Sequence, residues 1–211
     1  MDLRKALLGD WTPWLRDPID VLRLVPLVGV VVYLIAGDAL SVMFHAIALV
    51  FVLVARPLLL PRIYDLSWTF SVGLQAWVQT LGWYEAIPWF DRLVHFALPM
   101  LGAPVIYIAL ARADVVPDPK AETHLRHHIG IVVVTFALGV ALGGLWEIVE
   151  WTMDGTLGTN WSESNHDTVG DLIADSAGAL VGALLLLVWT VRGWGSVRRV
   201  PGTNVYEDTR A

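Results

Sequence analysis

Residues 129–151 read IGIVVVTFALGVALGGLWEIVEW, with no charged side chain until Glu147 and Glu150. A hydrocarbon core about 30 Å thick is crossed by roughly 20 apolar residues in helical form. The stretch therefore reads as a membrane-spanning helix with two carboxylates three residues apart near one end. Comparable runs occupy 20–37, 39–55, 61–83, 91–112 and 168–191. The expected fold is all-α: a polytopic transmembrane helical bundle of six spans. The first two spans are short and joined by a tight hairpin at Asp38; Asp65, Gln75 and Gln79 interrupt the third. The first span is expected to stay in the mature protein, because its apolar run starts near residue 20 and no small-residue cleavage pattern accompanies it.

Composition agrees with a membrane setting. Of 211 residues, 56% are hydrophobic and 16% charged, against about 25% charged in a soluble domain. With 14 basic and 20 acidic residues the formal charge is −6, so the phosphate-neutralising surface needed for nucleic acid is missing. The absence of cysteine excludes a disulfide scaffold, a thiolate metal site and a cysteine nucleophile.

Lys and Arg in short loops are retained on the cytoplasmic side. Six spans put every basic residue there except Arg92, a partition that five or seven spans would spoil. Both termini are thus expected in the cytoplasm. The organisation is a cytoplasmic N-terminal segment (1–19), a six-helix transmembrane domain (20–191) and a cytoplasmic, partly disordered tail (192–211). Trp83, Tyr84, Trp89, Trp151 and Trp161 fall at span ends, as an interfacial aromatic belt would. Gly139 with Gly143, and Gly178 with Gly182, have the small-xxx-small spacing of close helix contacts within one bundle.

Ionisable residues inside membrane helices normally face a bundle interior or a wet cavity. Asp91 and His95 are four apart in the fourth span, Glu147 and Glu150 three apart in the fifth, and Asp171 and Asp175 four apart in the sixth. Each pair shares a helix face, and all three pairs belong to the outer ends. Asp38, Glu85, Asp154, Glu163 and Asp167 add to the acids of that side, which Arg92 alone opposes. Cations, protons or a cationic substrate must therefore stabilise the carboxylates. Oxygen donors with an imidazole suit Mg²⁺, Mn²⁺, Ca²⁺ or Zn²⁺. The plain alternative for Asp91, Glu150 and Asp167 is that they are solvated helix ends. Pro99 leaves the His95 carbonyl without its helical partner, which reads first as a packed kink and second as a place for a water or cation.

Other polar residues point to chemistry less directly. His124, His127 and His128 read as a solvated interfacial turn, and His45 as a hydrogen bond to a neighbouring helix. Asp65 is expected near Arg62, and Ser176 has no evident base partner. There is no phosphate loop, zinc-protease helix or dinucleotide fingerprint. Asn160-Trp161-Ser162 matches a glycosylation acceptor only formally.

The strings DRLVHF at 91–96, GLWEIVEW at 144–151 and DTVGD at 167–171, followed by Asp175 and Gly178-Ala179, resemble the YjdF-type family of small bacterial inner-membrane proteins. The resemblance runs from the third span to the sixth. It implies a multi-pass protein of the bacterial plasma membrane and the grouping of these polar residues, and no reaction. A looser likeness to VanZ-like membrane proteins, which also pair an Asp-x-x-x-His helix with a later acidic helix, implies at most a cell-envelope or antibiotic-tolerance connection. Gln75 stands where the family pattern has a histidine.

The sequence thus leads to an integral membrane protein whose outer-leaflet pocket takes a divalent cation or a lipid headgroup. The expected metal donors are Asp91, His95, Glu147, Glu150, Asp171 and Asp175. As an enzyme it would perform metal-assisted hydrolysis or group transfer on an envelope lipid, with Glu147 or Asp171 as ligand or base and His95 as ligand or acid. A proton-coupled transporter and a non-catalytic membrane scaffold are the alternatives.

Overall fold

The computed structural model describes residues 15, 17–58, 60–119, 124–162 and 164–192. Among these it has helices and no strands: α1 (Pro18–Leu22), α2 (Val25–Ala36), α3 (Ala39–Ala55), α4 (Arg62–Thr80), α5 (Trp83–Ala86), α6 (Phe90–Arg112), α7 (Leu125–Leu157) and α8 (Asn165–Arg192). Most of the expected N-terminal segment and nearly all of the tail lie outside the described residues.

Local chemistry sets the boundaries. Asp17 accepts from the Ile19 amide at 3.0 Å and Pro18 fits the first turn of α1, where no helical amide bond is lost. Gly37, at φ +76°, closes α2, and the Asp38 amide reaches back to the Tyr33 carbonyl at 3.0 Å. Asp38 then caps α3 through the Ser41 amide at 3.1 Å and hydroxyl at 2.6 Å. The hairpin expected at Asp38 is therefore a C-cap and an N-cap placed back to back.

Five segments are long and apolar enough to cross a membrane: Pro18–Ala36, Ala39–Leu58, Phe90–Arg112, Leu125–Leu157 and Asn165–Arg192. The third expected span, α4, has the length, 19 residues, but not the apolarity. Its hydroxyls are satisfied within the helix, Ser67 on the Ile63 carbonyl at 2.7 Å and Ser71 on the Ser67 carbonyl at 2.6 Å. At 33 residues α7 is about 50 Å long and extends past both ends of its expected span.

Helix α8 packs along α6 and α7, α2 with α3 forms a hairpin, and α4 bridges α3 to α6. The glycines govern these approaches. A Cβ at Gly178 would lie 1.9 Å from the Phe96 carbonyl oxygen, and one at Gly182 2.4 Å from that of Met100. Pro104 removes the amide that Met100 would otherwise serve, so this carbonyl faces the α8 backbone directly. On the other side of α8, a Cβ at Gly139 would come 2.4 Å from Ala179 Cβ. The two small-xxx-small pairs are packing surfaces inside one bundle.

The end bearing Arg23, Arg56 and Arg112 is filled by an apolar core that includes Tyr64, Tyr107, Ile108, Ile131, Leu186 and Trp189. Its charged residues are neutralised locally. Asp20 accepts from Arg23 Nη1 at 2.6 Å and from Arg56 Nε and Nη2 at 3.0 and 3.2 Å, while Arg23 also donates to the Val52 carbonyl at 3.2 Å. The second Arg23 nitrogen pairs with Asp65. The partner expected for Asp65, Arg62, is thus replaced by Arg23: Asp65 is 1% exposed and turns into the bundle, whereas Arg62 is on the exposed face of α4.

Candidate functional site: an acidic and histidine cluster at one end of three helices

At the opposite end, α6, α7 and α8 bring all six expected donors together. The i,i+4 spacing in α6 and α8 and the i,i+3 spacing in α7 turn both members of each pair to the same interior. His95, Glu147, Glu150, Asp171 and Asp175 are buried, and Asp91 is half-buried at the rim. Burial removes the solvated-end reading from Glu150 and leaves it for Asp91 and Asp167 in part.

His95 is the hub. Its Nδ1 lies 3.3 and 3.4 Å from the two carboxylate oxygens of Asp175 and 3.7 Å from Glu147 Oε1, and its Nε2 lies 3.6 Å from Asp91 Oδ1. Asp175 reaches the ring because Gly143 leaves room; a Cβ there would be 2.2 Å from Asp175 Oδ2. Two sets have donor atoms within 4.8 Å of one another: Asp91, His95 and Asp171, and His95, Glu147 and Glu150. Glu150 accepts from Trp146 Nε1 at 2.8 Å. Glu147 Oε1 and Asp171 Oδ1 are buried carboxylate oxygens with no hydrogen-bond donor among the described residues. Arg92 Nε stands 2.9 Å from Asp171 Oδ1 as an ion pair without hydrogen-bond alignment.

In the sequence Arg92 stands out only as the lone base of its side. The structure makes it a neighbour of the cluster, with Nη2 also 3.3 Å from Asp167 Oδ1. Tyr84, a member of the expected aromatic belt, accepts through its hydroxyl from Gln75. Burial pushes its phenol above the ordinary range, opposed by that hydrogen bond and aided by the charges of Asp91 and Glu150. The signal for both residues is in the sequence: one cation among many acids, and a tyrosine nine residues after the position where the family pattern differs.

The remaining polar residues settle as packing. His45 meets Thr80 Oγ1 at 3.2 Å and stacks on Tyr33 at 5.3 Å between ring centroids, away from the cluster. Ser176 donates to the Leu172 carbonyl at 2.7 Å. His124 caps α7 by accepting from the His127 amide at 3.2 Å; His127 is buried rather than solvated, and both border a cleft of about 290 Å³ that also includes Arg126.

The fold and this cluster define a multi-pass helical membrane protein with a group of acidic and histidine side chains gathered between α6, α7 and α8. Residues 19–192 match a family model described as Predicted membrane protein (DUF2238), and the chain belongs to that family, which is the YjdF-type family of the sequence resemblance. A relative from Thermotoga maritima, named as an uncharacterized protein, is 34% identical over 101 residues, covering 47% of this chain and 48% of that one. The chain thus spans about half the length of that curated relative. No solved structure matches.

Proposed function

We propose that this protein binds a divalent cation in the α6–α7–α8 cluster and uses it to hold, and as an enzyme to act on, the headgroup of an envelope lipid. The observation that supports it is the buried carboxylate oxygen Oε1 of Glu147, without a hydrogen-bond donor among the described residues, beside a histidine already oriented by Asp175. A buried carboxylate oxygen without a donor is costly, and an ion is the partner that satisfies several at once. Asp175 on Nδ1 plays the orienting role that carboxylates take behind metal-bound histidines, and it leaves Nε2 to join Asp91 and Asp171 as ligands. The mixed oxygen and imidazole set suits Mg²⁺, Mn²⁺ or Zn²⁺, with Ca²⁺ where more oxygens join.

A cation held by Asp91, His95 and Asp171 would supply Lewis-acid polarisation of the reacting centre in hydrolysis or group transfer. Glu147 takes the proton of the attacking water or hydroxyl and returns it to the leaving oxygen as the new bond forms and the old one breaks. The membrane is the bacterial plasma membrane, with the cluster at the outer leaflet. A proton-coupled carrier needs a polar path onward; the apolar core between Tyr107, Ile131 and Leu186 occupies that course along these three helices.

The test is elemental analysis of detergent-purified protein after exposure to Mg²⁺, Mn²⁺, Ca²⁺ and Zn²⁺, with Asp171→Ala and His95→Gln beside the wild type. One cation per chain, lost in both variants while near-ultraviolet circular dichroism stays native, supports the reading. No retained cation in the wild type refutes it.

A further inference from the structure

We infer that Arg92 is the anion anchor of this pocket and that the group it receives carries a phosphate. The inference rests on the cation reading above and specifies its ligand.

Arg92 leans from α6 onto α8, with Nε 2.9 Å from Asp171 Oδ1 and Nη2 3.3 Å from Asp167 Oδ1. The position is built for it: a Cβ at Gly170 would lie 2.2 Å from Nη1 and 2.6 Å from Cζ, so only a glycine lets the guanidinium lie flat there. Its side chain is 46% exposed while that of Asp171 is 3% exposed. One edge of the guanidinium therefore meets the buried Asp171 and the half-buried Asp167, and the other opens outward. A guanidinium has five N–H donors in a planar fork, and the donors not turned to Asp167 and Asp171 have no partner among the described residues.

Charge decides what those donors receive. Without a cation the carboxylates repel any anion, and with a divalent cation in place the local field inverts. Cation and guanidinium then flank one opening, a pairing that fits the tetrahedral oxygens of a phosphate ester, which the planar fork contacts two at a time. A cationic headgroup would meet Arg92 as a like charge. Trp89, three residues before Arg92, and Trp151, which follows Glu150, are 63% and 73% exposed, and tryptophan is the residue type that marks the depth of lipid headgroups. The same chemistry would serve a lipid phosphate or a soluble one.

The full chain in detergent is titrated with Mn²⁺, followed by loss of the free-ion electron paramagnetic signal. The ³¹P relaxation of dihexanoyl phosphatidylglycerol, and separately of inorganic phosphate, is then measured on the loaded protein. In the wild type, Mn²⁺-dependent relaxation of the phospholipid alone assigns a lipid phosphate, and equal relaxation of both assigns a phosphate group from either source; each supports the inference. Gly170→Ala, which retains the charge and displaces only the end of a flexible side chain, and Arg92→Gln should keep Mn²⁺ and weaken the phosphorus ligand at least about tenfold, equivalent to about 1.4 kcal/mol. Mn²⁺ bound with neither phosphorus compound relaxed, or both variants relaxing them as the wild type does, overturns this inference alone. No Mn²⁺ bound by the wild type overturns the cation reading and this one with it.

Discussion

Gly178→Ala should loosen the bundle and open the cluster together. The added Cβ would sit 1.9 Å from the Phe96 carbonyl oxygen and 2.8 Å from its carbon, both backbone atoms that cannot rotate away. A weak C–H···O contact needs about 3.3 Å, so α6 and α8 must part by over 1 Å at this point. Overpacking of this kind costs about 1–3 kcal/mol, and the rigid backbone on both sides places this site near the upper end. The displacement reaches the cluster at once, because Phe96 follows His95 and Gly178 is one turn from Asp175, whose contact to the imidazole is already 3.3 Å. Intrinsic tryptophan fluorescence during thermal or SDS unfolding reads the loss, the chain having 11 Trp. Gly144→Ala is the control: nothing lies within 4 Å of its Cβ, and replacing a helical glycine there is neutral or stabilising. A Gly178→Ala protein as stable as Gly144→Ala would refute the claim that backbone contact between α6 and α8 holds the site.

Asp65→Asn should destabilise by about 3 kcal/mol or more, since it leaves the buried Arg23 with Asp20 as its remaining carboxylate, and Asp20 is already shared with Arg56; replacing Arg23 and Asp65 together by Met and Leu should recover much of the loss in the same unfolding assay. The Ser41 hydroxyl and amide hold the Asp38 carboxyl below its usual range, so its contribution is present above the unfolded-state pKa and fades as pH falls through the lower folded value. Asp38→Asn should therefore remove part of the acid-side slope in a stability–pH profile, and an unchanged slope would count against the cap. Single cysteines at Asp118 and Ser162 of this cysteine-free chain should be labelled by an impermeant maleimide from opposite sides of the membrane, Ser162 from outside; labelling from one side would overturn the topology.

The spans were legible because periodicity matters little in lipid: a run that is apolar all round is itself the signal, and the positions of Arg and Lys supply the direction. The six clustered side chains were legible for the reverse reason, each being an ionisable residue where none is cheap. What escaped was pairing between helices distant in sequence. Asp20 and Arg23 show the i,i+3 spacing of a local pair, but nothing in the chain says that Arg56 and Asp65 complete the network, because that follows from how α3 and α4 fold back on α1. The ambiguity of α4 has the same origin. Its polar residues look hostile to a membrane until Asp65 is seen to pair with Arg23 and Gln75 with Tyr84. Arg92 was visible as an anomaly of charge, while its seat on Gly170 belongs to the contact of two helices.

The glycines and the carboxylates are parts of one arrangement. Two like charges 4.8 Å apart repel by about 3.5 kcal/mol at an effective dielectric of 20, and the cluster places several carboxylates at such spacing. In a loosely packed bundle the helices would relieve this by separating. Here Gly178 and Gly182 lock α8 to the α6 backbone, and Gly139 and Gly143 bring α7 against the other side of α8, with Asp175 itself resting on Gly143. Relief by movement is therefore expensive, which leaves the Arg92 and His95 side chains, protons or, on the proposed reading, a bound cation to offset the repulsion. Cation binding should then raise the unfolding midpoint far more in the wild type than in Gly178→Ala, where parted helices have already released the repulsion. Equal stabilisation of the two would mean that the close helix contacts serve packing alone and do not shape the site.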